Sequence, residues 1–431
     1  MQKHMKAKFI FTLFLLWTCS IITTAQRYFE SNGIRYRIIQ EADGVTAYGT
    51  VSVASAEFDD YSGHIIIPNT VKETDENYSD SYKVIAIDNE AFAETKELIS
   101  IILPASLETI GEKAFWCSGL ERITIPMGKL TEIGRSIFSG CWSLKTIEIP
   151  STIKKIGDDA FSYCYELKTI IMPGVVSIGN YAFKNCDALT EIVLPEPLKY
   201  IRNEAFSQCD NLQKVMCGNN LLSIGEFAFT KCPELVTIEL PESLREMQKG
   251  AFQQSGITHI KIPNKIRVIT EGLFSMSNLH SIILPEDLEE IEAYAFGGLN
   301  MESLYIPEQV LVHPKAFNGT KAFKSEADVL NYLRTHRFVN SYNAADKQWF
   351  DFDFKKINYT IPSGGYYPLD ELTVISFTEN SATIHYKIEN VEAPLVCELK
   401  INNDSATMKE QFMGQGRTFI VEDIPYTKPN K

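Results

Sequence analysis

The chain has 431 residues, of which 45% are apolar and 22% are charged, and its formal net charge at pH 7 is −14. This composition is that of an ordinary folded protein, and the length accommodates either two or three average domains or one long repeat array. The acidic balance argues against nucleic-acid phosphate or an anionic membrane surface as the main partner.

The first 25 residues have the pattern of a secretory signal peptide. Lys3, Lys6 and Lys8 precede the apolar run Phe9–Ile22, and small residues follow up to Ala25. We therefore expect export, with cleavage after Ala25. The run is short for a membrane span, and no second apolar stretch follows, so we do not expect an integral membrane protein. The predicted destination is secretion or the cell surface, with the periplasm as the alternative.

Residues 26–60 precede the first repeat and predict an N-terminal β cap. "GIRYRIIQ" and "TAYGTVSVA" alternate as two strands do, and Asp43-Gly44 between them is a turn signal. Such a cover is expected because the first coil of a repeat array otherwise exposes its core.

Residues 61–320 repeat every 21 to 23 residues, and eleven Ala-Phe or related pairs mark the units, from Ala91-Phe92 to Ala316-Phe317. This period is typical of a solenoid. The pattern Leu-x-x-Ile-x-Ile-Pro, as in Leu144–Pro150, predicts a short strand that the proline ends. The following segment, such as Ile153–Phe161, predicts a tight corner at Ile-Gly and a short helical turn that places phenylalanine inside.

The unit "IGDDAFSYCYELKTIIMP" (Ile156–Pro173) resembles the repeat of the BspA-like bacterial leucine-rich repeat family. The resemblance covers about residues 60 to 320. It implies a right-handed solenoid of about eleven coils on an exported protein, usually a surface adhesion or recognition module. Gly218 replaces the strand-ending proline, and Met247-Gln248 and Ile269-Thr270 lack the corner glycine, so we expect irregular coils there.

Five cysteines lie three residues after the repeated phenylalanine, and a sixth, Cys117, lies two after. In register they form a row with Cβ atoms about 4.8 Å apart, slightly too far for a disulfide. A straight row also does not place four ligands around a zinc ion. We interpret them as small buried apolar residues, and disulfides between coils remain the alternative in an exported protein. The five are Cys141, Cys164, Cys186, Cys209 and Cys232.

The sequence carries no nucleophile elbow, zinc-protease motif, phosphate-binding loop or dinucleotide fingerprint. We therefore predict a non-catalytic protein with no metal and no cofactor.

Alternate residues of the predicted strands point outward and are the candidate binding surface. On three successive coils the outward residue is aliphatic, with an acid at each side, and a weaker candidate pair lies near the C-terminal end. Strand propensity alone, or a covering loop, is the alternative explanation. The candidate residues are Ile171, Val193, Met216, Glu148, Glu239, Ile283 and Tyr305.

Residues 321–361 predict a helix and a connector, with the helix over Ser325–Phe338. Residues 362–431 predict a small β-rich tail. The tail resembles part of an immunoglobulin or fibronectin type III sandwich, and a small sheet packed on the helix is the alternative.

The favoured function is an exported recognition or adhesion protein that binds an extracellular protein or glycan through its strand face. The alternative is a structural or assembly module that self-associates or spaces its tail from the cell surface. An enzyme acting on an extracellular polymer is the least favoured hypothesis, and nucleic acid is not an expected partner.

Overall fold

The computed structural model describes residues 26–42, 48–57, 61–73, 80–299, 306, 310–313 and 315–317. It also describes the strands of a C-terminal sheet between residues 336 and 423. The predicted signal peptide, the Asp43-Gly44 turn and Tyr305 lie outside these residues.

The N-terminal residues form a sheet that continues into the first coil. Its strands are β1 (Tyr28–Ser31), β2 (Ile34–Gln40), β3 (Gly49–Val53), β5 (Thr70–Lys72) and β6 (Ser81–Ile87), in the order β1-β2-β3-β6-β5. The sheet extends beyond the predicted boundary at residue 60, because β6 pairs with β3 on one side and with the first corner strand, β8 (Thr109–Ile110), on the other.

A partly buried cluster of charged groups ties the start of this sheet together. Arg27 lies between Glu41, at 3.1 Å, and Glu73, whose side chain is buried. The hydroxyl of Tyr82 accepts a hydrogen bond from Arg27 at 3.0 Å and donates one to Glu41 at 3.1 Å. A buried carboxylate is stable only when it is paired in this way.

The Leu-x-x-Ile-x-Ile segments form parallel strands on one side of a β-solenoid, which we call the strand face. The strands divide into three sheets, and within them most neighbours pair without offset, for example Thr146 with Thr169 and Glu148 with Ile171. The strands are β4 (Gly63–Ile66), β7 (Leu98–Ile102), β9 (Arg122–Thr124), β11 (Thr146–Glu148), β13 (Thr169–Ile171), β15 (Glu191–Val193), β17 (Lys214–Met216), β19 (Thr237–Glu239), β21 (His259–Lys261) and β23 (Ser281–Ile283).

The corner before each Ala-Phe pair forms a second set of parallel strands, which the sequence analysis did not predict. Each has two residues, and the second of them faces the core. Besides β8 they are β10 (Glu132–Ile133), β12 (Lys155–Ile156), β14 (Ser177–Ile178), β16 (Tyr200–Ile201), β18 (Ser223–Ile224), β20 (Glu246–Met247), β22 (Val268–Ile269), β24 (Glu290–Ile291) and β25 (Leu311–Val312).

The expected helical turn at Ala-Phe is not found, and no helix occurs among the described residues. The segment is an arc in which alternate backbone N–H groups donate to the next coil, as Phe206 N donates to Ala228 O at 2.8 Å. Two residues per arc adopt left-handed conformations, such as Glu204 (φ 52°) and Gln208 (φ 60°). This alternation turns successive amides along the solenoid axis, whereas a helix would direct them within one coil.

The repeated phenylalanines form a continuous stack through the core. The rings from Phe92 to Phe296 are fully buried, and neighbouring rings from Phe92 to Phe317 lie 5.1 to 6.1 Å apart. Full burial of each ring contributes about 2 to 3 kcal/mol. The spacing is widest, at 5.7 and 6.1 Å, beside Phe274, in the region where corner glycines are missing.

The strands from β7 to β23 give about nine turns, so the predicted count of eleven coils is not confirmed. The first Ala-Phe pair follows the N-terminal sheet, and residues 300–305, before the last pair, lie outside the described part of the chain. The handedness of the solenoid stays a prediction.

The C-terminal strands form a closed antiparallel barrel, because β26 pairs with both β27 and β33. They are β26 (His336–Asn340), β27 (Trp349–Asp353), β28 (Lys356–Tyr359), β29 (Gly365–Thr378), β30 (Ser381–Ile388), β31 (Leu395–Asn402), β32 (Ser405–Phe412) and β33 (Gln415–Asp423). A closed barrel leaves no unpaired sheet edge.

The barrel differs from the sandwich or small sheet expected for the tail. It begins at His336, inside the segment interpreted as a helix and connector. His336–Phe338, the expected end of the helix, belong to β26, and residues 325–335 lie outside the described part of the chain. The sequence analysis also missed β27, although Phe350–Asp353 alternates between apolar and acidic residues, and the four-residue strand β28.

The coil spacing makes a stability prediction for two glycines. A Cβ at Gly256 would lie 2.1 Å from the backbone oxygen of Pro233 in the preceding coil, whereas a Cβ at Gly272 would meet nothing closer than 3.9 Å. Gly272 has φ +62°, so alanine there suffers only backbone strain of about 1 kcal/mol. We expect Gly256→Ala to lower the free energy of unfolding by about 2 to 3 kcal/mol.

Thermal unfolding followed by circular dichroism tests whether Gly256→Ala is less stable than Gly272→Ala, which is the matched control. Equal melting temperatures for the two variants would show that the coils move apart without penalty.

Candidate functional site

The strand face places the predicted binding residues in one outward column. Pairing aligns Glu148 with Ile171, Val193 with Met216, and Met216 with Glu239. Ile171 and Val193 hold the same strand position on successive coils, at the boundary between two sheets. The side chains therefore follow one another at about the strand spacing of 4.8 Å. We call Ile171, Val193 and Met216 the aliphatic stripe.

The stripe is accessible to a partner. Ile171 is 50% exposed and Val193 is 60% exposed, whereas Met216 is half-buried. Glu148 and Glu239 are exposed at the two ends of the stripe. The stripe and its two neighbouring glutamates therefore form an apolar surface with an acidic border at each end.

Other members of the same column are also apolar. Ile283 is 63% exposed and pairs with Lys261, while its predicted companion Tyr305 lies outside the described residues. Ile66 and Ile102 pair with each other at the N-terminal end, and both are exposed. The repeat pattern places Ile102 in the outward column, whereas Ile66 is not recognisable there because "HIIIP", which contains it, precedes the first Ala-Phe pair.

The neighbouring outward column is polar and supplies hydrogen-bonding groups beside the stripe. It contains the exposed residues Arg122, Thr146, Thr169, Glu191 and Lys214. An apolar centre beside polar groups is the usual composition of a protein-binding surface.

The cysteine row is part of the core. All seven cysteines between Cys117 and Cys232 are free, and the five in the row have no exposed surface. Each of these five thiols donates a hydrogen bond to the carbonyl oxygen of a phenylalanine one coil earlier, at 3.0 to 3.2 Å. The interpretation as buried structural residues is confirmed, and the disulfide alternative is not found.

Burial also makes these thiols poor nucleophiles. Desolvation raises the pKa of Cys141 and of Cys232 to about 12, and it raises the pKa values of Cys164, Cys186 and Cys209 well above their ordinary range. A thiol that stays protonated is neither a metal ligand nor an attacking group.

Two hollows lie at the N-terminal end, and the arginine side chain in each of them is already paired with a carboxylate. One of about 640 Å³ contains Arg37, whose Nε donates to Asp88 at 2.7 Å. Another of about 460 Å³ contains Arg35, which lies 3.1 Å from Glu57. Within the described part of the chain, no group of three or more His, Cys, Asp or Glu is placed to hold a metal ion.

The sequence matches a known family over most of the repeat region. Residues 74–188 and 199–324, together more than half of the chain, match the family described as "BspA type Leucine rich repeat region", in six copies. No curated protein matches the chain. In the described residues, no helix has the length and apolar character to span a bilayer.

Several solved structures are similar to the chain. A leucine rich cell surface protein from Faecalibacterium prausnitzii shares 24% identity, with 70% of this chain and 94% of that chain covered and a TM-score of 0.41. A leucine-rich repeat protein from Bacteroides ovatus shares 24% identity, with 68% of this chain and 92% of that chain covered and a TM-score of 0.44. The leucine rich repeat protein of T. pallidum shares 26% identity, with 48% of this chain and 91% of that chain covered and a TM-score of 0.39.

The buried thiols predict a loss of stability in alkali. Their pKa values are raised in the folded state, so between about pH 8.5 and the folded pKa only the unfolded chain releases these protons. The stabilising contribution of the buried, protonated thiols is fully present below pH 8.5. Above that pH, each thiol lowers the free energy of unfolding by up to about 1.4 kcal/mol per pH unit. We expect the Cys164→Ala/Cys186→Ala/Cys209→Ala variant to show a shallower decline.

Urea unfolding under reducing conditions between pH 7 and 10.5 measures both slopes. The difference between the two slopes cancels the contribution of the tyrosines, because both proteins contain them. Parallel slopes would contradict thiol burial, as would rapid alkylation of the native row at pH 7.

Proposed function

We propose that this chain, which belongs to the family of BspA-type leucine-rich repeat proteins, is an exported, non-catalytic recognition protein that holds a partner protein on its strand face. The single observation that carries the proposal is the aliphatic stripe, in which Ile171 and Val193 are exposed on successive coils, Met216 is half-buried, and Glu148 and Glu239 form the borders. Contiguous exposed apolar side chains on a soluble surface are typical of interaction sites.

The stripe is an anchor of moderate strength. Covering the exposed part of each side chain would contribute about 1 kcal/mol per residue. Tight binding therefore also needs the polar column beside it, which would set the specificity of the contact.

The charge pattern favours a foreign partner over a second copy of the chain. In a symmetric dimer centred on Val193, Ile171 would face Met216, and Glu148 of one copy would face Glu239 of the other. Such a two-fold contact brings like charges together at both ends. A partner with an apolar centre and basic residues about 19 Å apart, four coil spacings, would complement the surface instead.

The side chains of the stripe favour a protein over a glycan at this site. The stripe is aliphatic, and aliphatic side chains pack against apolar groups of a protein but offer no flat ring for a sugar. A glycan bound at the stripe remains one outcome of the test below.

Export rests on the N-terminal sequence. Lys3, Lys6 and Lys8, the apolar run and Ala25 have the order of a signal peptide. The contacts of Arg27 begin two residues after the expected cleavage point, so a mature chain from Gln26 would keep the whole N-terminal sheet. The cell surface or the medium is the proposed destination, with the periplasm as the alternative.

The competing proposal is an assembly module, and exposed apolar residues away from the stripe favour it. Ile66, Ile102 and Ile283 lie at the two ends of the column, where the acidic borders of the stripe do not oppose self-association. Light scattering of the mature protein separates the proposals, since a monomer at high concentration contradicts assembly.

The stripe predicts which variant loses binding. We expect Ile171→Lys/Val193→Lys/Met216→Lys to weaken binding of an extracellular protein by about 100-fold, because about 3 kcal/mol of apolar contact is removed and basic borders of the partner are repelled. Residues 26–431 would be tested on an array of matrix proteins and polysaccharides, and each hit measured by surface plasmon resonance.

The matched control is Ile66→Lys/Ile102→Lys, which makes the same change on the same column at the N-terminal end. Both variants must retain the circular dichroism spectrum of the wild type. Full affinity in the folded triple variant, or equal losses in both variants, would place the recognition site elsewhere.

A further inference from the structure

A second exposed surface lies on the turn between the arc and the strand face. It consists of Trp142, Tyr163 and Tyr165, which are 50%, 42% and 42% exposed. We call it the aromatic platform. It shares no residue with the aliphatic stripe and differs from it in chemistry, since all three side chains carry flat rings.

Two of the rings occupy equivalent positions on adjacent coils. Trp142 and Tyr165 each lie four residues before Thr146 and Thr169, which are paired in the strand face. The amide of Glu166 donates to the carbonyl oxygen of Trp142 at 3.2 Å, which keeps the two turns in register. Their backbones are therefore about one coil spacing, 4.8 Å, apart.

Neighbouring contacts fix the rings in place. The ammonium group of Lys96 lies 4.7 Å from the centroid of the Trp142 ring and also donates to the carbonyl oxygen of Cys117. Tyr163 and Tyr165 make an edge contact, with centroids 6.2 Å apart and an interplanar angle of 71°. Binding to rings that are already ordered loses little side-chain entropy.

Polar groups of both kinds lie at the ends of the platform. Lys96 supplies hydrogen-bond donors at one end. On the following coils the equivalents of Tyr165 are Asp187, which is half-buried with Oδ1 shielded from solvent, and Asp210, which is exposed and supplies acceptors. The amide of Ala188 donates to Tyr165 O at 3.0 Å and holds the first of these turns in place. Donors at one end and acceptors at the other favour a neutral ligand rich in hydroxyl groups.

We propose that the aromatic platform binds a neutral oligosaccharide. Two consecutive sugar rings lie with their C–H faces on Trp142 and Tyr165, and hydroxyl groups along the chain accept from Lys96 and donate to the exposed Asp210. Successive sugars of an extended chain repeat at nearly the coil spacing, which matches the backbone spacing of the two turns that carry Trp142 and Tyr165. The ligand is neutral because the platform offers charges of both signs.

The test uses the mature chain, residues 26–431, with cellohexaose, xylohexaose, mannohexaose and maltohexaose as probes. Titration calorimetry measures affinity, and a change in tryptophan fluorescence that is absent from Trp142→Phe reports contact with Trp142, because Trp116 and Trp349 remain in that variant. We expect at least one probe to bind and to change the fluorescence. Trp142→Ala and Tyr165→Ala should each weaken binding about tenfold, equivalent to about 1.4 kcal/mol.

Three variants separate ring contact from loss of structure. Trp142→Phe keeps a flat ring and should retain most of the affinity, and the loss expected for Tyr165→Ala decides the matter if Trp142→Ala fails to fold. Tyr294→Ala removes an exposed ring from another coil and should change nothing. The Ile171→Lys/Val193→Lys/Met216→Lys variant should also bind the sugar normally, which makes this proposal independent of the strand-face proposal.

Three results would overturn the proposal. These are failure of all four probes to bind the wild type at millimolar concentration, full sugar affinity in folded Trp142→Ala, and loss of a protein ligand instead of a sugar in the platform variants.

Discussion

Hydrogen bonding between successive coils is the constraint on which the rest of the structure depends. The strand face, the corner strands and the arc all direct backbone groups along the solenoid axis to the neighbouring coil. A buried amide without a partner is costly, so each coil must repeat the backbone of the last. The side chains then align, which produces the phenylalanine stack, the cysteine row and the outward columns.

The sequence predicted those parts of the fold in which a side chain reports its own environment. Phe161 recurs as Phe183 because both lie in the core, and Cys164 recurs as Cys186 because both donate to a carbonyl group one coil earlier. The same logic placed Ile171 and Val193 on the outside. The residues Ile66 and Ile102 were missed as a pair because the first strand has no arc before it.

The sequence could not predict the parts that the backbone determines. Glu204 and Gln208 adopt left-handed conformations without the glycine that normally signals them, so the arc resembled a helical turn. Ser177–Ile178 is too short to show alternation, so the corner strands were not recognised. In the tail, β26 lies where the spacing of apolar residues favoured a helix. Five residues are too few to distinguish the period of a helix from that of a strand.

Axial hydrogen bonding also determines how the molecule responds to pulling. Tension between its ends acts along the bonds that join the coils, so the array comes apart one coil at a time from an end. A released coil of about 23 residues extends to about 80 Å, whereas in the array it occupied about 5 Å. A protein that holds a partner in mid-array would therefore become longer under tension from flow, while the coils that carry Val193 stay folded.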